Sequence, residues 1–114
     1  MVKNPKVANQ LAAQIINLAL DRKAEKIISI NVKKLTTLTD AFIICSADTD
    51  IQVKAISDNI RKNTDHKPTR IEGYEKLKWV ILDYIDVMVH IFKTSDREYY
   101  NIERLWADGK IIKY

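Results

Sequence analysis

Apolar residues change their spacing several times along the chain, and each change marks an element. Between Asn4 and about Arg22 they recur every three or four positions: Ala8, Leu11, Ala12, Ile15, Leu18 and Ala19 fall on one stripe. Asn4-Pro5 suits an N-cap and first helical residue, and Arg22-Lys23 suits the C-terminal end, so this spacing predicts an amphipathic helix. Ile27-Ile28-Ser29-Ile30-Asn31-Val32 partly alternates and is rich in β-branched residues, a strand pattern that ends in the basic, polar stretch from Lys33 to Thr37. Phe42-Ile43-Ile44-Cys45 is a nearly unbroken apolar run, as a central strand covered on both faces requires. Thr49-Asp50-Ile51-Gln52 has the capping-box arrangement, with the Thr49 hydroxyl expected on the N3 amide and Gln52 reaching back. A second helix follows to about Asn63, with Val53, Ile56 and Ile60 on its buried side and Lys54, Asp58, Arg61 and Lys62 facing water.

Beyond a polar loop holding His66 and Lys67, Pro68 opens a short extended segment, Thr69-Arg70-Ile71, suited to a sheet edge. Two dense apolar runs, Trp79 to Leu82 and Val87 to Phe92, are separated by Asp83-Tyr84-Ile85-Asp86 and read as strand, turn, strand. Arg97 to Trp106 reads as a short helix with more aromatic side chains than packing needs. On a continuous helix Tyr99, Ile102, Leu105 and Trp106 share the side that docks on the sheet, and Tyr100 and Glu103 point elsewhere. The expected architecture is a single α/β domain, residues 1–114, with its core at about 4–106 and a short tail at 107–114. Its mixed five-stranded sheet is covered by two main helices and a short C-terminal helix.

Composition narrows the class. With 114 residues, 46% of them hydrophobic, the chain is long enough for one core of its own. Cys45 is the only cysteine and lies in an apolar run beside Ile44, which excludes an internal disulfide and a cysteine-built zinc site, favours a reducing cytoplasm and predicts an inert buried thiol. No apolar run reaches a membrane span and MVKNPKVANQ lacks a signal-peptide core, so neither export nor membrane insertion is expected. Two glycines in the whole chain leave no room for a dinucleotide fingerprint or a phosphate-binding P-loop.

Charge is unevenly spread. The net +4 arises in the N-terminal part, where residues 1–40 hold seven Lys or Arg against three Asp or Glu, whereas Glu72 to Trp106 holds five against seven. A solvated mixed-charge surface is the plain explanation. Carboxylates interleaved with aromatic rings otherwise suit a basic protein surface better than a nucleic acid, so DNA is not expected as a partner. Asp83, Asp86 and His90 lie close enough in sequence to suggest metal or acid/base chemistry. Aspartates flanking a tight turn usually serve backbone hydrogen bonds, however, and a histidine in an apolar strand is more often a core or partner-facing residue.

One ordered set of segments resembles a known family. Glu72-Gly73, Trp79-Val80-Ile81-Leu82-Asp83, Asp86, Val89-His90, Arg97-Glu98-Tyr99-Tyr100 and Glu103-Arg104-Leu105-Trp106, preceded by Leu38-Thr39-Asp40-Ala41-Phe42-Ile43-Ile44 and Gln52-Val53-Lys54-Ala55-Ile56, resemble the ribosomal silencing factors, or Iojap family, over about Leu38 to Trp106. The resemblance implies a nucleotidyltransferase-like fold without its active site. Ser46-Ala47-Asp48 has no glycine, and Asp83 and Asp86 have the wrong spacing for paired carboxylates on one strand face. It implies no enzyme activity and no cofactor or metal. The implied function is to bind the fourteenth protein of the large ribosomal subunit (uL14), at the face that meets the small subunit, and so to block joining and lower translation when nutrients are scarce. The partner-binding surface carried over is Glu72, Gly73, Trp79, Tyr100, Glu103, Leu105 and Trp106, with Asp83 and His90 nearby. Members resemble one another in forming homodimers. An alternative is a ribosome-assembly or RNA-binding module on the large subunit, with ribosomal RNA met by the basic N-terminal part. The chain departs from many relatives at Ile85, where they carry a small residue, often glycine.

Overall fold

The computed structural model describes residues 5–114, with side chains described from residue 10 onward. The elements are α1 (Pro5–Asp21), β1 (Glu25–Asn31), β2 (Ala41–Ala47), α2 (Asp50–Asn63), β3 (Arg70–Glu72), β4 (Trp79–Asp83), β5 (Val87–Lys93), α3 (Thr94–Tyr100), α4 (Ile102–Leu105) and β6 (Lys110–Lys113). The Asn4 cap and the Ala8 side chain lie outside the described residues. Thr49 caps α2 as its sequence implies, accepting the Gln52 amide at 3.1 Å, but the Gln52 side chain donates to the Lys23 carbonyl at 3.4 Å. Half of the capping box therefore forms, and its other half ties α2 to the end of α1.

All six strands form one sheet, in the order β3-β4-β5-β2-β1-β6. Only β2 and β5 run parallel, joined through α2, β3 and β4; every other neighbour is antiparallel. The sequence supports five strands, and the sixth is a correction: the expected tail contains β6, which pairs with β1 from Asn31↔Lys110 to Ile28↔Lys113. Four residues, two of them lysines and all exposed, give no readable alternation, so β6 owes its place to this pairing. Gly109 makes the entry possible, because a Cβ there would collide with the Asn31 carbonyl.

The strands alternate between two cores. On one face Ile43, Cys45, Val89 and Ile91 meet Leu11, Ile15 and Ala19 of α1 and Val53, Ile56 and Ile60 of α2. On the other, Ile30, Phe42, Ile44, Met88 and Phe92 are partly covered by Trp79, Ile81, Ile102 and Trp106. Both faces of β2 and β5 are thus largely buried, which is why their residues are nearly all apolar. The β4–β5 turn folds tightly around Ile85, whose φ is 74°: the Asp86 amide donates to the Tyr84 carbonyl at 2.9 Å and the Ile85 amide to Asp83 Oδ1 at 2.8 Å. A β-branched residue occupies a left-handed conformation there, and Ile85 stays exposed.

Candidate functional site

Trp79 opens β4, and its place is set by Gly73. That glycine has φ 76° and sits so close to the Trp79 carbonyl that a Cβ could not be fitted. The close approach Gly73 permits is therefore to its own chain. From this anchor the indole stacks on Phe92 at 4.8 Å and leans on Tyr100 at 5.0 Å, and its Nε1–H donates to His90 Nδ1 at 3.0 Å. Register makes this bond: Trp79 pairs with Phe92 and Ile81 with His90 across the β4–β5 ladder, so the indole lies diagonally across His90.

His90 is buried, and burial pushes its imidazole down to about 4. The neutral ring accepts at Nδ1, so its hydrogen resides on Nε2, which finds no acceptor among the described residues. Phe42 meets His90 edge to face at 4.9 Å and Trp106 likewise at 5.2 Å. These rings floor a concavity of about 350 Å³, rimmed by Leu38, Met88 and Leu105. Around it the surface is apolar and open: Leu105 is 76% exposed, Tyr99 82%, Leu38 59% and Tyr100 50%. Some of these rings are half buried, as Trp79 and Trp106 are, and others, Tyr99 and Tyr100, are largely exposed.

The charged residues of the face are already engaged within the chain. Glu72 pairs with Arg70 at 2.9 Å, and Asp83 caps its own turn. Glu103 Oε2 accepts from Arg97 at 3.3 Å, while Glu103 Oε1 is buried without a partner among the described residues. Arg97, itself buried, also donates to Ser46 Oγ at 3.0 Å and to the Glu25 carbonyl at 3.4 Å, fixing α3 to the ends of β1 and β2. Area on this face comes from aromatic and aliphatic groups, and its carboxylates are oriented by internal bonds.

The structure brings together Glu72, Trp79, Asp83, His90, Leu105 and Trp106 around one concavity, with Tyr100 against Trp79. Sequence reasoning missed six of its lining residues, Leu38, Phe42, Arg70, Ile81, Met88 and Ile102. Phe42, Ile81 and Met88 read simply as strand core, Ile102 as a residue docking on the sheet, Arg70 as an edge-strand residue and Leu38 as the lead-in to the second strand; the register of β2 beside β5, with Phe42 opposite Met88, brings Phe42 here. The continuous C-terminal helix is also corrected. Asn101 adopts φ 44° and breaks the segment into α3 and α4, so Tyr99 and Leu105 turn outward while Ile102 and Trp106 pack on the sheet. Cys45 is buried, and burial pushes its thiol up to about 12, against the nearby Arg97, which lowers it.

Fold and face together define a class: an α/β domain with an open, aromatic-lined concavity and, among the described residues, no group of three His, Cys, Asp or Glu side chains placed to hold a metal ion. No helix among those residues is long and apolar enough to cross a membrane. Residues 5–113 match the family described as ribosomal silencing factor during starvation, and the chain belongs to it. It is 36% identical over 111 residues to a ribosomal silencing factor of Halalkalibacterium halodurans, covering 94% of this chain and 95% of that one. With the Bacillus subtilis factor it shares 35% identity over 94 residues, 80% of each chain. A crystal structure of a protein from Chromobacterium violaceum matches with a TM-score of 0.83 at 32% identity, covering 87% of this chain and 85% of that one.

Proposed function

We propose that this protein represses translation by occupying the large ribosomal subunit, binding its fourteenth protein through the Trp79–Leu105 face and keeping the small subunit from joining when nutrients are limiting. The observation that carries this reading is the open apolar face in a chain whose family is defined by ribosomal silencing. Tyr100 and Leu105 supply exposed area, Trp79 and Trp106 supply rigid half-buried rings, and Glu72, Asp83 and Glu103 lie at or beside the rim. Steric exclusion asks only for occupancy, so no reacting group, metal or cofactor is invoked. The reading places the protein in the cytoplasm, where ribosomes work, and allows a homodimer as its free state.

Co-sedimentation with isolated large subunits tests the surface. Leu105→Ala removes an exposed side chain that supports no internal contact of the core, and should weaken binding by about 2 kcal/mol, roughly thirty-fold. Equal binding by the folded variant would discard this face. Binding retained without any block on joining would instead favour a role in assembling the large subunit.

A further inference from the structure

Trp79 reaches the concavity with its backbone already fixed. Gly73 lies against its carbonyl, and next to it the Lys93 amide donates to the Lys78 carbonyl at 2.9 Å, so only the side-chain torsions remain to be set. Ring contacts alone set them loosely. The indole stacks on Phe92 with the planes 25° apart and leans on Tyr100 at 43°, and stacking of this kind is indifferent to which indole face meets the neighbour. One contact is directional. The bond from Nε1–H to His90 Nδ1, 3.0 Å long, is met in a single orientation of the ring, and it is the only hydrogen bond of the Trp79 side chain among the described residues. Trp106 shows the contrast: it meets Phe42 edge to face, and its side chain makes no hydrogen bond among those residues.

His90 is an unfavourable residue for packing where it stands. Its neighbours on the same face of β5 are Met88 and Phe92, Phe42 meets it edge to face at 4.9 Å, and it is 4% exposed. A phenylalanine there would bury no polar atom. The imidazole instead leaves Nε2–H without an acceptor among the described residues, an arrangement that costs stability. A buried polar group that weakens the fold is accounted for when it fixes a neighbour in one arrangement, and Nδ1 fixes Trp79.

We infer that His90 is the positioning residue of the Trp79 anchor: Nδ1 holds the indole in one orientation at the wall of the concavity, so that a partner meets a ring already in place. Locking the ring is a property of the free protein; its value to a partner rests on the docking reading above. A ring set beforehand loses no side-chain freedom when a partner closes over it, and binding keeps the free energy that ordering the ring would otherwise consume. His90 itself needs no contact with the partner.

Indole N–H exchange in the full chain, followed by heteronuclear NMR and set beside co-sedimentation with large subunits, tests both steps. In the parent the Trp79 Nε1–H should exchange with water about ten-fold more slowly than that of Trp106. His90→Phe should erase this protection and leave Trp106 unchanged; His90→Asn, whose Oδ1 stands in the place of Nδ1, should keep it. Binding of large subunits should fall about five-fold in His90→Phe, the cost of ordering one side chain, and recover in His90→Asn. In a Trp79→Phe background His90→Phe should change binding no further, as a residue acting through Trp79 requires and a general packing role does not. Protection of the Trp79 indole that survives His90→Phe, or an undiminished effect of His90→Phe on binding in the Trp79→Phe background, would overturn the inference. Binding lost on Trp79→Ala but kept on His90→Phe would overturn it alone, whereas binding kept on Trp79→Ala would remove the docking reading with it.

Discussion

The two faces of the sheet are built from different side chains. Under α1 and α2 the core is Ile, Val, Leu and Ala, with Cys45 within it and Tyr84 at its margin, and its central residues are fully buried. The opposite face holds both phenylalanines and both tryptophans, together with His90, and only short helices reach over it. Aliphatic packing under long helices maximises burial at the centre of that side, where Ile15, Ile43, Val53 and Ile56 are wholly enclosed. Aromatic rings under a thin cover can each bury an edge and still offer a face. One side of the sheet is packed under long helices, and the other packs aromatic rings under a thinner cover that leaves part of them exposed.

Substitutions that act on only one face sharpen this contrast. Ile56→Ala, in the aliphatic core, should cost about 3 kcal/mol in urea denaturation and leave ribosome binding by the folded fraction unchanged. Acid should strike the other face. The His90 imidazole ordinarily titrates near 6.5 and is held at about 4 by burial, so the unfolded chain takes up a proton that the folded chain refuses. Its stabilising effect is complete above pH 6.5 and disappears as pH falls toward 4, which amounts to roughly 2 kcal/mol between pH 7 and pH 5. Denaturation of His90→Phe at both pH values should lack that portion of the loss.

Ile85→Gly should raise stability by about 1 kcal/mol, because glycine accepts φ 74° without strain, and thermal unfolding would show it as a higher Tm. A lower Tm would mean that Ile85 is held by contacts rather than tolerated. Smallest of all in stability is Leu105→Ala, expected within about 0.5 kcal/mol of the parent in the same melts, despite its loss of binding.

Much of the aliphatic face was legible in the sequence, because its signals are periodic and local. The apolar runs of β2 and β5, the Thr49 cap and the stripe of α2 each announce themselves within a few residues. The aromatic face was legible as a set of residues but not as an arrangement. That Trp79 bonds His90 follows from β4–β5 register, that Phe42 joins them from β2 lying beside β5, and that Leu105 turns outward from a left-handed Asn101. Counting carboxylates suggested an acidic face, yet Glu72, Asp83 and Glu103 each bond to a neighbour within the chain. The β6 strand left no local signal, since its identity lies in its partner.

Subunit joining, followed by light scattering as purified small and large subunits are mixed, tests the central claim most directly. The parent protein, added to large subunits beforehand, should suppress the rise in scattering, and Leu105→Asp, equally folded, should restore it. Full suppression by Leu105→Asp, or none by the parent at concentrations that saturate the large subunit, would contradict the account.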